Sequence, residues 1–139
     1  MKRFTLGKRE RLKSRKLIEQ LFSERKSFVV APFRVHFMLG EGLLNAPSST
    51  IHVQCGFSAS TRNFKKAVDR NRIKRLTREA WRLQKQALVT KAEEKQQQVA
   101  VFLVYTAKDL PTFEVVKKKV EIIISKLIAI VDETTIKAS

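Results

Sequence analysis

Between Arg62 and Lys85, ten Lys and Arg residues stand against two carboxylates, Asp69 and Glu79. Their spacing says more than their number. At about 100° per residue, Asn71, Arg75, Arg78, Arg82 and Lys85 centre on one side of a helix, with Arg70 and Lys74 on its flank. Ile73, Leu76, Ala80, Leu83 and Ala87 fall on the other side. Such a helix is anchored by one stripe and presents guanidinium forks by the other. A guanidinium donates two parallel hydrogen bonds to a phosphate, whereas a lysine ammonium acts as a point charge. The chemistry implied is polyanion binding. A second basic block, eight cations against Glu10, occupies residues 1–16. The two blocks carry nearly all of the net charge of +16 on 139 residues. A solubility coat mixes both signs; two discrete basic elements on a neutral scaffold suggest a binding surface, with nucleic acid as its partner.

The residue pattern argues against the chain being a nuclease by itself. A two-metal nuclease needs clustered carboxylates, and Asp69 and Glu79 lie ten residues apart on one helix. His36 and His52 sit on the polar faces of two strands that could bring them together, but no acidic ligands accompany them. The single cysteine, Cys55, excludes an internal disulfide and a multi-cysteine zinc site, and it falls on an apolar face as a core residue. No metal site is expected. Trp81 lies near the basic flank and fits packing better than base stacking. Arg72, at the edge of the apolar stripe, fits an ion pair with Glu79 and a contact at a cleft edge equally well. The chain has no apolar run of the ~20 residues a membrane span requires, and Met1 to Arg9 lacks a signal-peptide core. The expected location is cytoplasmic.

The elements that must carry these groups follow from periodicity. Ser14 caps a helix to Glu24 with Leu17, Ile18, Leu21 and Phe22 at helical spacing. Residues 28–39 are extended, with Phe33, Val35, Phe37 and Leu39 alternating against Arg34, His36 and Met38. Residues 40–50 read as a loop. Ile51 to Ser60 alternates again: Ile51, Val53, Cys55, Phe57 and Ala59 face one way, His52, Gln54, Gly56, Ser58 and Ser60 the other. The two strands read as neighbours. A helix spans Lys66 to about Lys91. Val99 to Thr106 is a wholly apolar strand, expected to be central and covered on both faces. Thr112 to Val131 is a closing helix. The expected fold is α/β, an α+β sandwich with a small central sheet, in the order α-β-β-(β)-α-β-α, the bracketed strand being an extra short one near Phe28. One domain covers 1–139, with a basic N-terminal segment 1–13 and a flexible tail 132–139.

The segment from Phe64 to Glu79, with Arg70-Asn71-Arg72 followed by Ile73-Lys74-Arg75-Leu76-Thr77-Arg78-Glu79, closely resembles the signature helix of the bacterial ribonuclease P protein subunit. Arg11-Leu12 before the first helix and Gly56-Phe57-Ser58-Ala59-Ser60 upstream of the basic helix agree with that family. The resemblance implies a left-handed βαβ crossover, an exception to the usual rule. It implies a ribonucleoprotein that removes the 5′ leader of precursor tRNA, with the chemistry and the magnesium ions held by a catalytic RNA subunit. Carried over by position, Arg70, Asn71, Arg72, Lys74, Arg75 and Arg78 match the face toward that RNA. Phe22, Ser58 and Ser60 match cleft positions that touch the leader. Arg34 and His36 occupy the cleft-facing strand positions, and Arg62 lies beside the cleft. The polar faces read from alternation are the faces that would line it. The chain departs from the family pattern at Ile18, where an aromatic is common, at Thr61-Arg62, where a Lys-Lys pair is common, and at Arg34 and His36, which replace more apolar residues; leader preference is therefore not transferred. The alternative is a structural ribosomal-type RNA-binding protein, which composition admits and the Arg-Asn-Arg helix in this context disfavours. A DNA-binding module lacks a helix-turn-helix before the basic helix, and a membrane-surface helix would need a large aromatic insertion face.

Overall fold

Helix α1 (Arg15–Ser23) starts where the side chain of Ser14 accepts the Leu17 N–H at 3.2 Å. Its apolar stripe places Leu17 and Leu21 inward and leaves Phe22 outside. The computed structural model describes residues 11, 12, 14–23, 26–40, 44 and 52–138. The cations before Arg11, Lys13, Glu24, Ile51 and most of the 40–50 loop lie outside the described residues.

Strands β1 (Ser27–Val30) and β2 (Phe33–Gly40) form a hairpin around Ala31 and Pro32, so the extended run is two strands and the short strand near Phe28 is present. Strand β3 (Val53–Ala59) leads into α2 (Ala67–Gln84) and α3 (Gln86–Glu94), and then come β4 (Gln98–Tyr105) and α4 (Phe113–Ala138). The sheet order is β1-β2-β4-β3, with β4 antiparallel to β2 and parallel to β3. This corrects the expectation that β2 and β3 are neighbours. The apolar β4 lies between them, since the crossover through α2 and α3 returns the chain to the middle of the sheet. The result is a four-stranded mixed sheet with four helices.

Register assigns every strand residue to a face. Phe33, Val35, Val53, Cys55, Val99, Val101, Leu103 and Tyr105 pack with Ile73, Ala80 and Trp81 of α2, Leu88 of α3 and Val116 to Val131 of α4 in the main core. The opposite face is covered only in part. There Leu17 and Leu21 of α1 join Leu12, Leu44 and Ala100, with Met38 and Phe102 packed against them. β4 is therefore not covered on both faces as expected: Phe102 and Val104 are half-buried. Short α1 does not reach across the whole face.

Two helix boundaries differ from the periodicity. The long basic helix is divided at Lys85, yet Lys85 keeps right-handed helical dihedrals, and the bonds Lys85 N–H to Trp81 O (2.8 Å) and Val89 N–H to Lys85 O (3.0 Å) run through it. α4 continues to Ala138, through the stretch expected to be a tail. Asp132 pairs there with Lys91 of α3 (3.8 Å) and with Lys95 just past its end (3.3 Å), which ties that part of α4 to the fold. Among the described residues, no helix is long and apolar enough to cross a membrane.

Candidate functional site

α2 is held by Ile73, Thr77, Ala80 and Trp81, all buried. Trp81 is fully enclosed and meets Phe57 edge-on at 6.4 Å, so it packs and offers no stacking surface. The opposite stripe follows its spacing over the first turns and departs from it at the end: Lys85, expected on the basic side, is buried, whereas Leu83 and Ala87 of the expected apolar stripe are exposed. Asn71, Arg72 and Arg75 are exposed, and Lys74 and Arg78 are half-buried. Arg72 makes no pair with Glu79. Arg82 takes that carboxylate in a two-pronged ion pair, and its hydrogen bond holds the Glu79 carboxyl below its ordinary range. Arg70 is a different case from its neighbours. Its guanidinium donates to the carbonyls of Phe64 (2.7 Å) and Lys65 (2.8 Å), so it braces the turn into α2.

The edge of β3 brings the two basic blocks together. Leu12 N–H donates to Cys55 O at 3.0 Å, and Arg11 bridges to Cys55, which adds the N-terminal segment to the sheet. Arg11 then lines a cavity of about 250 Å³ with Lys74, Arg78, Gly56 and Phe57. Three cations converge, and among the described residues no carboxylate lines the wall. The Arg78 Nε is buried without a hydrogen-bond partner among the described residues. Such a notch has the charge and the donors to take a phosphate.

The open part of the other sheet face forms a cleft beside α1. His36, Phe102 and Gly56 form one row across the strands, and Arg34, Val104 and Ser58 the next. Phe22, 48% exposed, closes over the first row. Its ring meets His36 edge-on at 4.6 Å and Phe102 at 5.3 Å. Gly56 is needed here: a Cβ would stand 2.6 Å from the Phe102 ring, which lies over the glycine. Burial, and after it the Arg34 guanidinium, holds the His36 imidazole below its ordinary pKa. A cleft with edge-on rings, a largely neutral imidazole, a guanidinium and small hydroxyls suits an unpaired nucleotide strand.

The predicted cleft residues Phe22, Arg34, His36 and Ser58 are thus brought together. Ser60 lies at the end of the same strand face, with its hydroxyl accepting the Asn63 N–H at 3.4 Å. Arg62 is exposed on the turn after β3. His36 and His52 do not approach as neighbours, because β4 separates their strands. Among the described residues, no group of three or more His, Cys, Asp or Glu could hold a metal ion. Cys55 is buried and its thiol is pushed well up by that burial. Sequence reasoning missed Phe102 as the cleft floor, since an apolar strand residue looks the same whether a helix covers it or not. It also missed Arg11 as a wall of the notch, because the pairing of residue 11 with residue 55 is non-local.

The family model described as Ribonuclease P matches residues 6–128. A protein of Porphyromonas gingivalis, "Ribonuclease P protein component", is 38% identical over 118 residues, 85% of this chain and 82% of that protein. One of the same name from Chlorobium phaeobacteroides is 32% identical over 123 residues, covering 84% and 83%. The solved structure of the Staphylococcus aureus RNase P protein shares the fold with a TM-score of 0.62 at 19% identity, covering 86% of this chain and 97% of that one. The chain belongs to the ribonuclease P protein family, the protein component of a ribonucleoprotein endoribonuclease of tRNA processing.

Proposed function

We propose that this chain is a noncatalytic cofactor that binds the catalytic RNA subunit through α2 and the 5′ leader of precursor tRNA through the cleft. The observation that carries this reading is the division of labour across β3. One side of the strand supports an exposed basic helix, and the other forms part of the floor of an aromatic cleft. Asn71, Arg72, Lys74, Arg75 and Arg78 meet the RNA subunit, and Arg70 keeps their helix in place. The notch of Arg11, Lys74 and Arg78 seats one phosphate of the same RNA. Phe22 stacks on a leader base, with His36 and Ser58 in reach of base edges and Arg34 and Arg62 neutralising the backbone.

The chain's own contribution to the reaction is positional. Neutralising phosphates on both strands lets leader and catalytic RNA approach each other. Magnesium ions belong to the RNA subunit, where they supply the hydrolytic chemistry. The reading assigns the protein to the cytoplasm, where precursor tRNA is matured. Cleavage of precursor tRNA at low magnesium tests it, with a bacterial ribonuclease P RNA, with this protein, and with both. Cleavage restored only by the pair is the expected result. Cleavage by the protein alone refutes it, and tight RNA binding without any gain in cleavage turns the reading to a structural ribosomal-type RNA binder.

A further inference from the structure

Asn63 stands in the turn between β3 and α2. Its side-chain amide donates to Thr106 O at 2.9 Å and Ala107 O at 3.3 Å, both at the exit of β4. Its backbone N–H donates to the Ser60 hydroxyl. The β4 exit is itself tied across the sheet: Thr106 donates to Pro32 O through its N–H (2.8 Å) and its hydroxyl (3.0 Å), and Ser60 N–H donates to Tyr105 O (3.3 Å). A polar strap thus crosses one end of the sheet, from the β1–β2 turn through β4 to the start of α2. Phe33, Tyr105 and Phe64 form a row of rings at the same end, with centroids 5.3 and 6.0 Å apart.

This strap has few substitutes. The N-cap of α2, Lys66, makes no side-chain capping bond. From the helix side, only Arg70 is seen to grip the turn, through Phe64 and Lys65, among the described residues. Both acceptors of Asn63 are carbonyl oxygens, so the group that meets them must donate twice. A carboxylate of the same shape would repel both. The cleft row of Arg34, Val104 and Ser58 lies two residues in from the strapped Pro32, Thr106 and Ser60.

We propose that Asn63 is a positioning residue: it holds the start of α2 in fixed register with the cleft-bearing end of the sheet, so that α2 on the RNA subunit and the cleft on the precursor leader are engaged at once. The proposal rests on the function proposed above. Asn63 acts through the strap and not by touching RNA.

The test uses the holoenzyme with protein at saturating concentration, so that a loss of assembly does not enter. Kd is measured for precursor and for mature tRNA. Asn63→Asp and Asn63→Ala each lower the precursor-over-mature preference by about 3- to 10-fold, the scale of one or two lost hydrogen bonds. Asn63→Ala removes both donors without adding charge, so an equal loss in Asn63→Ala and Asn63→Asp assigns the effect to the strap and not to a carboxylate near the leader. A purely folding role for Asn63 would leave the preference of the assembled enzyme unchanged, and that result overturns the proposal. If Asn63→Asp shows no cooperative melt, Asn63→Ser, which is neutral and keeps one donor, decides by the same measurement. A wild-type holoenzyme without any precursor preference would refute the functional reading itself, so the two failures are distinguishable.

Discussion

The α2 face and the α1–sheet cleft are built from opposite materials. The α2 face is a row of cations at full or partial exposure on a helix whose other side is buried. The cleft has an apolar floor, with rings in edge-on contact and one imidazole whose charge is suppressed. The first surface acts at a distance and is weakened by salt. The second adds stacking on contact to the smaller charge of Arg34 and Arg62, and the stacking part does not depend on counterion release. A single protein can therefore gather RNA by charge on one side and discriminate by shape on the other.

The comparison is broken most strongly by removing charge from α2. Arg75→Ala combined with Arg78→Ala should weaken binding of ribonuclease P RNA by about 100-fold at physiological salt, and reduce the slope of log K against log salt by about 2. A filter-binding salt series measures both. In the cleft, Phe22→Ala should cost about 1–2 kcal/mol of precursor binding, with the affinity for mature tRNA and the salt slope unchanged. Equal losses on both tRNAs would remove Phe22 from the leader site.

Smaller effects sharpen the account of how the cleft is held. Gly56→Ala drives a methyl into the Phe102 ring, so it should destabilise the fold by about 1–3 kcal/mol, visible as a Tm lowered by several degrees. The smallest effect concerns pH. The His36 pKa in the folded protein lies below its ordinary 6.5, so the unfolded chain takes up the proton first as pH falls. Stability should be intact above pH 6.5 and decline from there down to the folded-state pKa. His36→Gln should flatten that part of a pH–Tm profile.

How much of this was legible beforehand differs between the two regions for a physical reason. The α2 face is local: 3.6-residue periodicity places Ile73 and Ala80 inside and Arg75 outside whatever the rest of the chain does. The alternation of β2 and β3 likewise fixed which residues share a face. The apolar β4 was expected at the centre, and it is there; what alternation left open was which strands flank it, because apolarity gives a strand's place and not its neighbours. With β4 between β2 and β3, Phe102 becomes cleft floor and the two histidines are kept apart. Arg70 shows the other limit. Its helical phase is that of a flanking cation, but a turn two residues longer or shorter would not have offered it the Phe64 and Lys65 carbonyls. The closing helix runs past Val131, where Asp132 meets Lys91 of α3 and Lys95 just after it, pairings 41 and 37 residues away in sequence that local periodicity does not reveal.

The central claim is that the two surfaces have two different ligands. It is tested most directly by measuring, for Arg75→Ala and Phe22→Ala side by side, the affinity for ribonuclease P RNA and the precursor-over-mature preference of the assembled holoenzyme. The account predicts a crossed result: Arg75→Ala lowers the first and leaves the second, whereas Phe22→Ala leaves the first and lowers the second. If both variants lower both quantities in the same proportion, the protein has a single continuous RNA surface and the division across β3 is wrong.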